Sequence, residues 1–510
     1  MCTEADYTGN SSILIGMVSL GCPKNLVDGE SMLGLLSERG YQITPDAGKA
    51  DLIIVNTCGF IDAAKKESIA AILDMADKKT TGRCAALIVT GCLSERYRES
   101  FAAELPEVDA VLGAGEYGRI CEVVDYFAAK IGRGGGGARD NNATADPMPQ
   151  ASGESPFYTR TVRESTAVQR LEHLNAPRIL TSDAGYVYIK IAEGCDNHCA
   201  YCVIPSIRGS YISRPADDIL AEAERLSSSR DIEAVLVAQD TTNYGAEAGR
   251  AGEGTGALCD LLERLSRIER VKWIRLMYAY PDRIDDQLAE QFSKNRKLLR
   301  YLDMPIQHAS DNVLRRMGRR YSRSDLYDLV DRLRRAAPGI ILRTTVMTGF
   351  PGERENDFSD LMNFLSEAKF ERLGVFAYSR EEGTPAARMD GRTPKKTALW
   401  RRSELLRAQA AILSAADASR IGSEYEAIIE SGSNFNRGGV VCRVRTYAEA
   451  PEVDGNIRIM ETARRGLGNS RRGLETTLRG GKQKQFAPGT FVNIRVSGKD
   501  NRGLLGELLT

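Results

Sequence analysis

Three cysteines near the middle of the chain have a spacing suited to metal chemistry. Residues 194–202 read GCDNHCAYC, so Cys195, Cys199 and Cys202 form a C-x3-C-x2-C pattern directly after the apolar run YVYIKIA. Three thiolates at this spacing can wrap one loop around a 4Fe-4S cube and leave its fourth iron without a protein ligand. A reactive metal centre needs such an open position, and S-adenosylmethionine (SAM) is the occupant that we expect. Two alternatives are a zinc site that lacks its fourth ligand and three buried thiols that act as small apolar side chains.

Three further cysteines are far apart in the sequence but share one context. Cys22 in SLGCPKN, Cys58 in VNTCGF and Cys92 in VTGCLSE each come a residue or two after an apolar, strand-like run. In an open α/β sheet, ligands gather beyond the carboxyl ends of the parallel strands, so these three loops are expected to converge. The pattern predicts a second cluster with three cysteine ligands. The alternative is three cysteines that belong to the hydrophobic core.

The apolar runs around the second trio predict an α/β domain over residues 12–130. ILIGMVSL, DLIIVNT and AALIVT alternate with amphipathic stretches, which is the pattern of a buried parallel sheet of the flavodoxin or Rossmann type. Residues 131–180, which contain a glycine tract, break this periodicity and are predicted to be a linker.

Two further domains are predicted after the linker. Six strand-like runs, each followed by helix-forming sequence, indicate a (βα)6 partial barrel over residues 181–420. Residues 421–510 alternate apolar and polar side chains, as expected for a small antiparallel β-barrel, and a basic glycine-rich insertion interrupts them at about residues 463–485.

The sequence resembles the radical SAM superfamily and, within it, the methylthiotransferases. The resemblance rests on the C-x3-C-x2-C loop with its flanks YIKIAEGC and CVIPSIRGSYISRP, on the amino-terminal cysteine trio, and on a carboxyl-terminal barrel similar to a TRAM domain. It implies that one SAM is cleaved reductively at the first cluster to give a 5'-deoxyadenosyl radical. It also implies that the second cluster supplies or carries sulfur, and that a second SAM donates the methyl group. An electron donor such as flavodoxin or ferredoxin and a sulfur donor are the implied partners.

The same resemblance suggests which residues contact SAM. Tyr201 in the cluster loop would pack on the adenine, and Gln239 in AVLVAQDTTNYG would contact the amino-acid part. Arg343 is a candidate for the SAM carboxylate, because a guanidinium pairs with a carboxylate through two hydrogen bonds. The turn TGFPGE would bring backbone close to the nucleoside, which makes candidates of its residues Gly349, Phe350 and Glu353.

Methylthiotransferases of this family modify either tRNA adenosines or an aspartate of small-subunit ribosomal protein twelve. Two features favour the ribosomal protein, either free or on the ribosome: the first cysteine motif reads LGCPKNLVDGE, and the last domain contains the acidic segment YAEAPEVDG. An acidic patch would suit a very basic ribosomal protein better than it would suit phosphate. In this segment, Ala448 and Glu449 replace the more usual aspartate-led form. The basic insertion has two interpretations, a contact with ribosomal RNA or a solvated loop.

Bulk composition excludes several other classes. Lysine plus arginine and aspartate plus glutamate both number 69, so no global positive field would drive indiscriminate binding of nucleic acid. The first residues are acidic, and the apolar run that follows is too short to cross a bilayer, which predicts a cytoplasmic protein that does not enter membranes. Eleven cysteines in such a chain favour metal or redox chemistry over disulfides. A non-catalytic RNA-binding scaffold with relic clusters remains a competing hypothesis.

Overall fold

The amino-terminal part of the chain forms a parallel five-stranded sheet with helices on both faces. The computed structural model describes residues 13–133, 162, 164–182, 184–246, 254–432, 440–460 and 487–509. The strands are β1 (Leu14–Ser19), β2 (Gln42–Thr44), β3 (Leu52–Thr57), β4 (Ala86–Gly91) and β5 (Ala110–Val111). The helices are α1 (Pro23–Glu38), α2 (Asp62–Ala76), α3 (Lys78–Thr81), α4 (Cys92–Arg96), α5 (Arg98–Glu104) and α6 (Ile120–Arg133). The strand order is β2-β1-β3-β4-β5, with every pairing parallel.

The two central strands explain why this sheet is buried on both faces. Every residue of β3 and β4 is buried. Ile54 and Ile88 pack into one apolar cluster with residues of α1 and α6, whereas Ile53 and Leu87 pack into another that contains residues of α2. Because successive side chains of a strand point to opposite faces, an unbroken apolar run feeds both cores at once. The prediction of a doubly covered α/β sheet is confirmed.

A short antiparallel ladder closes the loop that carries the central cysteine trio. The elements here are α7 (Ala167–Leu171), β6 (Tyr186–Lys190), β7 (Ala192–Glu193), α8 (Ile204–Arg208) and β8 (Ile212–Ser213). Strands β7 and β8 pair with each other, so the residues between them form a loop whose two ends are held together.

The middle of the chain forms a six-stranded parallel sheet. Its remaining strands are β9 (Ile232–Val237), β10 (Val271–Leu276), β11 (Leu298–Asp303), β12 (Ile341–Thr348) and β13 (Arg372–Ala377). The helices are α9 (Ala216–Ser227), α10 (Gly256–Ser266), α11 (Asp286–Lys294), α12 (Asp311–Arg316), α13 (Arg323–Ala336), α14 (Glu355–Ala368) and α15 (Lys395–Ser419). The order β13-β12-β11-β10-β9-β6 leaves β6 and β13 as the two edges, so the predicted (βα)6 partial barrel is confirmed.

The last part of the chain forms a closed five-stranded barrel. Its strands are β14 (Glu424–Gly432), β15 (Val440–Arg445), β16 (Ile457–Met460), β17 (Phe491–Asp500) and β18 (Gly503–Leu508), in the order β14-β15-β16-β18-β17. The small barrel is confirmed, but it is not wholly antiparallel, because β16 and β18 run parallel to each other. The predicted basic insertion at residues 463–485 lies outside the described residues, as does most of the predicted linker.

The chain divides into two compact units that do not follow a linear order. The first unit contains the chain up to Thr181 together with Ala192–Arg214 and Ser379–Ala387. The second contains Ser182–Ile191, Pro215–Tyr378 and Arg388–Thr510. The central cysteine loop therefore belongs to the unit built around the amino-terminal sheet. In the part of the chain that the structure describes, no helix has both the length and the apolar character needed to cross a bilayer.

Candidate functional site

The central cysteine trio opens onto one cavity in the first unit. Cys195, Cys199 and Cys202 all line this cavity, whose volume is about 510 Å³. The loop is fixed by its own backbone, since the Cys195 N–H donates to the carbonyl of Gly209 (3.1 Å) and the Cys202 N–H donates to the carbonyl of Cys199 (2.9 Å). The loop begins with a left-handed residue, Gly194 (φ 79°), where an added Cβ would lie 2.1 Å from the carbonyl oxygen of Ser210. Only glycine fits there, so the sequence itself sets the entry to the loop.

Polar groups around the cavity hold the loop in place. Arg170 lines the cavity and donates hydrogen bonds to the carbonyl oxygens of Arg208 and Ser210. Asp196, which also lines it, accepts a hydrogen bond from the backbone N–H of Tyr211 (3.1 Å). Burial lowers the pKa of Arg170. These hydrogen bonds therefore fix the shape of the loop that presents the three thiols.

The donor set at this cavity is three thiols on one loop, which suits an iron-sulfur cube. Among the residues that the structure describes, no three histidine, cysteine or carboxylate side chains converge as the ligands of one ion would. A cube is bound differently, because each thiolate ligates a different iron and the sulfurs stand apart around a cavity. Three cysteines that line one cavity could ligate three irons of such a cube and leave the fourth iron open.

The amino-terminal trio also converges, at the carboxyl edge of adjacent strands. Cys22 precedes the first turn of α1, Cys58 follows β3, and Cys92 is the first residue of α4 directly after β4. A Cβ added to Gly21 would lie 3.0 Å from the Cys58 sulfur, and one added to Gly59 would lie 2.9 Å from the backbone carbon of Cys92. These approaches show that three loops separated by tens of residues meet at one place, as the strand-end rule predicts.

The pKa values of these thiols show that they influence one another. Burial, with smaller contributions from the neighbouring Cys92 and Cys22, raises the pKa of Cys58 to about 11. Burial also raises the pKa of Cys92, against the opposing effect of Arg208. Burial acts in the same direction on Cys22, but Lys24, Arg208 and backbone N–H groups outweigh it and lower the pKa of that thiol. The pKa values of Cys58 and Cys92 respond to the charge of neighbouring cysteines, so the three side chains lie near one another, as the ligands of one cluster must.

A buried arginine that the sequence does not reveal lies beside this second trio. Arg208, the last residue of α8, donates from Nε and Nη2 to the Cys92 sulfur at 3.3 Å each. Its Nη1 donates to Asp28 (2.7 Å) and lies 3.4 Å from Glu193, and its side chain is only 2% exposed. The one available signal was its position in CVIPSIRG, where an arginine ends an otherwise apolar stretch six residues after Cys202.

Most of the predicted SAM contacts in the second unit lie at the carboxyl edge of its parallel sheet. Gln239 follows β9, and Gly349 follows β12 directly. Gly349 has φ 75°, and Glu353 accepts hydrogen bonds from the backbone N–H groups of Gly349 and Phe350. The Phe350 ring is fully buried and stands edge-on to Tyr378. Burial raises the pKa of Glu353 to about 7, against the opposing effect of Arg401. This is a rigid turn at the edge where ligands of parallel sheets bind.

Two predicted SAM contacts lie elsewhere. Arg343 is the third residue of β12, far from its carboxyl end, and it donates to Asp303 (2.7 Å) with Asp454 at 3.7 Å. Its guanidinium already has carboxylate partners in the second unit, which gives Arg343 a structural role without SAM. Tyr201 lies in the cysteine loop of the first unit and is half-buried.

Two of the three carboxylates in the acidic segment YAEAPEVDG anchor the second unit internally, and the third is exposed. Glu449 is 3% exposed at its side chain and pairs with Arg420 and with Arg372 (3.1 Å). Asp454 is also buried at its side chain and accepts a hydrogen bond from the hydroxyl of Tyr301. Glu452 is exposed, and its two oxygens accept hydrogen bonds from Tyr186 and Tyr188. Glu449 and Asp454 therefore make contacts within the unit, whereas Glu452 is the carboxylate of this segment that faces solvent.

Comparisons with known proteins agree with this architecture. Three family models match: Uncharacterized protein family UPF0004 over residues 15–113, the Radical SAM superfamily over residues 189–365, and the TRAM domain over residues 421–509. Among solved structures, a radical S-adenosylmethionine methyltransferase, TsrM, from Kitasatospora setae aligns with a TM-score of 0.50 at 15% identity. The alignment covers 73% of this chain and 76% of that chain, and at this identity it supports the fold alone.

Curated relatives match nearly the whole chain. A protein named ribosomal protein uS12 methylthiotransferase RimO from Acetivibrio thermocellus is 41% identical over 97% of this chain and 98% of its own length. A protein of the same name from Trichlorobacter lovleyi is 45% identical over 87% of this chain and 92% of its own length. Another from Geobacter sulfurreducens is 41% identical over 98% of this chain and 100% of its own length. At this identity and coverage, the chain belongs to the family of the radical SAM ribosomal protein uS12 methylthiotransferases.

Proposed function

We propose that this protein adds a methylthio group to the β-carbon of an aspartate side chain in small-subunit ribosomal protein uS12. The observation that carries the proposal is the identity of 41% over 97% of the chain to a relative named as a methylthiotransferase of ribosomal protein uS12. The two converging cysteine trios supply the donor sets that this chemistry needs, because side-chain acids and bases cannot break an unactivated C–H bond.

Each trio has one role in the proposal. Cys195, Cys199 and Cys202 hold a 4Fe-4S cluster with an open position for SAM, and Cys22, Cys58 and Cys92 hold a second 4Fe-4S cluster. When bound, the first cluster would supply the electron for reductive cleavage of SAM, and the second would supply or carry sulfur; the methyl group would come from a second SAM. The chain's own part is to hold the loops rigid and to keep water away. Arg170 does the first through its hydrogen bonds to the carbonyls of Arg208 and Ser210.

SAM binding is proposed for the turn that follows β12 and for the end of β9. Gly349 and Phe350 present backbone at the sheet edge, Glu353 ties that turn together, and Gln239 follows the neighbouring apolar strand β9. Tyr201 remains the candidate for adenine packing. Arg343 remains a candidate for the SAM carboxylate only if it exchanges its partners Asp303 and Asp454 for that ligand.

Other proposed properties follow from the reaction class. An electron donor such as flavodoxin or ferredoxin and a sulfur donor act with the enzyme, and the reaction takes place in the cytoplasm on uS12 that is free or on the ribosome. A second candidate function is methylthiolation of tRNA adenosine at its 2-position, which needs the same cofactors. A non-catalytic scaffold is disfavoured because all six cysteines are present, with the central trio lining one cavity and the loops of the other trio meeting.

The test is expression of this chain in a bacterial host that lacks its own methylthiotransferases. Mass spectrometry then examines uS12 and the hydrolysed tRNA nucleosides of the same cells. A uS12 aspartate that is heavier by one methylthio group supports the proposal. A methylthiolated adenosine would preserve the chemistry and refute the substrate, and the absence of both products with verified cluster loading would favour the scaffold.

Single cysteine variants separate the two trios in the same assay. Cys195→Ala is expected to abolish SAM cleavage by the reduced protein. Cys58→Ala is expected to retain SAM cleavage and to stop methylthiolation. The matched control is Cys259→Ser, because Cys259 is a buried cysteine of α10 in the second unit and belongs to neither trio. Full methylthiolation by both Cys195→Ala and Cys58→Ala would refute the assignment of ligands.

A further inference from the structure

Arg208 donates two hydrogen bonds to the sulfur of Cys92, in addition to its contacts with buried carboxylates. Arg208 uses two donors on the same side of its guanidinium, Nε and Nη2, and both lie 3.3 Å from a single sulfur. A protonated thiol is a weak acceptor, whereas a thiolate or a metal-bound sulfur carries the negative charge that two charged donors suit. The remaining donors are also used, with Nη1 on Asp28 (2.7 Å) and Nη2 on the side-chain oxygen of Asn25 (3.0 Å).

The surroundings fix this guanidinium in one orientation. Asp28 is completely buried and also contacts Nε2 of His173 at 3.0 Å. The guanidinium carbon of Arg208 lies 5.7 Å from the centre of the Tyr117 ring. The cluster of Arg208, Asp28 and Glu193 contains two carboxylates and one guanidinium, so the arginine cannot be replaced by a neutral group without leaving buried negative charge beside the sulfur. An arginine, and not a lysine, can reach the sulfur and the carboxylates together because its donors form a planar fork.

The backbone of Arg208 also connects the two cysteine trios. Its carbonyl oxygen accepts a hydrogen bond from Arg170, which lines the cavity of the central trio, while its side chain reaches Cys92 of the other trio. The carbonyl of the next residue, Gly209, accepts the N–H of Cys195. One short segment therefore positions a cysteine of each trio.

We infer that Arg208 is a positioning residue for the second cluster: its guanidinium holds the Cys92 sulfur in place and raises the reduction potential of the cluster bound there. The inference rests on the proposed function, because it takes Cys22, Cys58 and Cys92 as cluster ligands. Hydrogen bonds to ligand sulfurs and the net charge near a cluster are among the factors that set its potential. Two N–H donors and a positive charge favour the reduced cluster, since reduction adds negative charge.

The test uses the full chain with Cys195, Cys199 and Cys202 all replaced by alanine, so that the second cluster is the only one left. Redox titration followed by electron paramagnetic resonance gives its midpoint potential in this parent and in Arg208→Gln and Arg208→Lys versions. We expect the potential to be most negative in Arg208→Gln and intermediate in Arg208→Lys, which keeps the charge and loses the fork. The matched control is Arg178→Gln, because Arg178 is equally buried in the first unit but pairs with Glu30 instead of a cysteine.

The outcomes are distinguishable. A shift to a more negative potential in Arg208→Gln with none in Arg178→Gln supports the inference. Arg208→Gln could lose its iron. In that case the inference is supported equally if Arg208→Lys keeps the cluster at a lowered potential and Arg178→Gln keeps its full iron content. Equal potentials in the parent, Arg208→Gln and Arg208→Lys would overturn the role of Arg208 and leave the proposed function intact. A parent that binds no iron at all would overturn the second cluster itself and the inference with it.

Discussion

Replacing Glu449 by glutamine should destabilise the second unit by about 3 kcal/mol at neutral pH. The carboxylate is buried between Arg420 and Arg372 and accepts hydrogen bonds from the N–H (3.0 Å) and hydroxyl (2.8 Å) of Thr446. Burial alone would raise its pKa, but Arg420 and Arg372 outweigh burial and lower the pKa from 4.5 to about 2. A depression of this size corresponds to about 3 kcal/mol of folding free energy. The amide of Glu449→Gln cannot supply this charge, and it leaves two guanidinium groups facing a neutral group.

The chain contains a suitable probe for this measurement. Trp273 is buried, donates to Glu426 (2.9 Å) and stands edge-on to Phe491 of β17, so its fluorescence reports on the contact between the parallel sheet and the barrel. The chain has two tryptophans, and the other, Trp400, is half-exposed. Urea unfolding of the full-length chain in a Trp400→Phe background therefore follows Trp273 alone. The matched control is Glu424→Gln, which removes a solvent-exposed partner of Arg495 and should leave the midpoint nearly unchanged.

The pH dependence gives a second, independent check. Because the folded pKa of Glu449 is depressed, its contribution is fully present above pH 4.5 and is lost as the pH falls toward about 2. The difference in free energy of unfolding between Glu449→Gln and its parent should therefore be constant from pH 8 to pH 5. It should narrow by about 1.4 kcal/mol per pH unit below that range. A difference below about 1 kcal/mol at pH 7, or one that does not narrow below pH 4.5, would refute this account of the anchor.

Three further predictions concern the two units. The Glu381 carboxylate is 2% exposed and pairs with Lys65 (3.0 Å) and Arg96 (2.8 Å). Glu381→Gln removes its charge, so it should destabilise the first unit by about 3 kcal/mol. It should also speed amide hydrogen exchange in Ser379–Ala387. The exposed Glu122→Gln is its control, and equal exchange in both variants would contradict the prediction. Gly21→Ala should lose the iron of the second cluster, because its Cβ would lie 2.7 Å from the Cβ of Cys58. The control Gly40→Ala has a similar φ of 93° with open space around it and should retain that iron. Equal iron contents in the two variants would disprove the clash. Gly349→Ala should weaken SAM binding in equilibrium dialysis, because its Cβ would lie 2.3 Å from the Cβ of Ala398. The control Gly339→Ala, with a φ of 80° and open space around it, should bind SAM normally. Unchanged SAM binding by Gly349→Ala would place SAM elsewhere.

The sequence was a good guide wherever a local pattern determines the structure. Unbroken apolar runs predicted the buried strands β3 and β4, because a strand covered on both faces needs no polar alternation. The strand-end rule placed Cys22, Cys58 and Cys92 together without knowledge of any distance, since adjacent parallel strands end at one edge. The spacing in the central loop did the same for the other trio.

The sequence was a poor guide to features that depend on distant partners. Nothing local to Arg208 shows that its guanidinium reaches Cys92, which lies 116 residues earlier. The assignment of the central loop to the same unit as the amino-terminal sheet is equally invisible, because it depends on tertiary contacts of Ala192–Arg214 and not on the order of the chain. The parallel pairing of β16 with β18 also escaped prediction, since alternation specifies a strand but not the direction of its neighbour.

Glu449 shows that a charged residue of a motif can serve the fold and not the surface. Glu449 looked like part of a surface patch because the sequence displays its charge but hides its partners, Arg372 and Arg420, which lie 77 and 29 residues away. Because Arg372 and Arg420 both pair with the Glu449 carboxylate, it exerts little electrostatic attraction on a basic substrate, and its charge instead stabilises the second unit. If this reasoning holds, Glu449→Gln loses stability while the residual methylthiolation keeps its substrate. A change of product from uS12 to tRNA adenosine in that variant would restore the segment to substrate recognition.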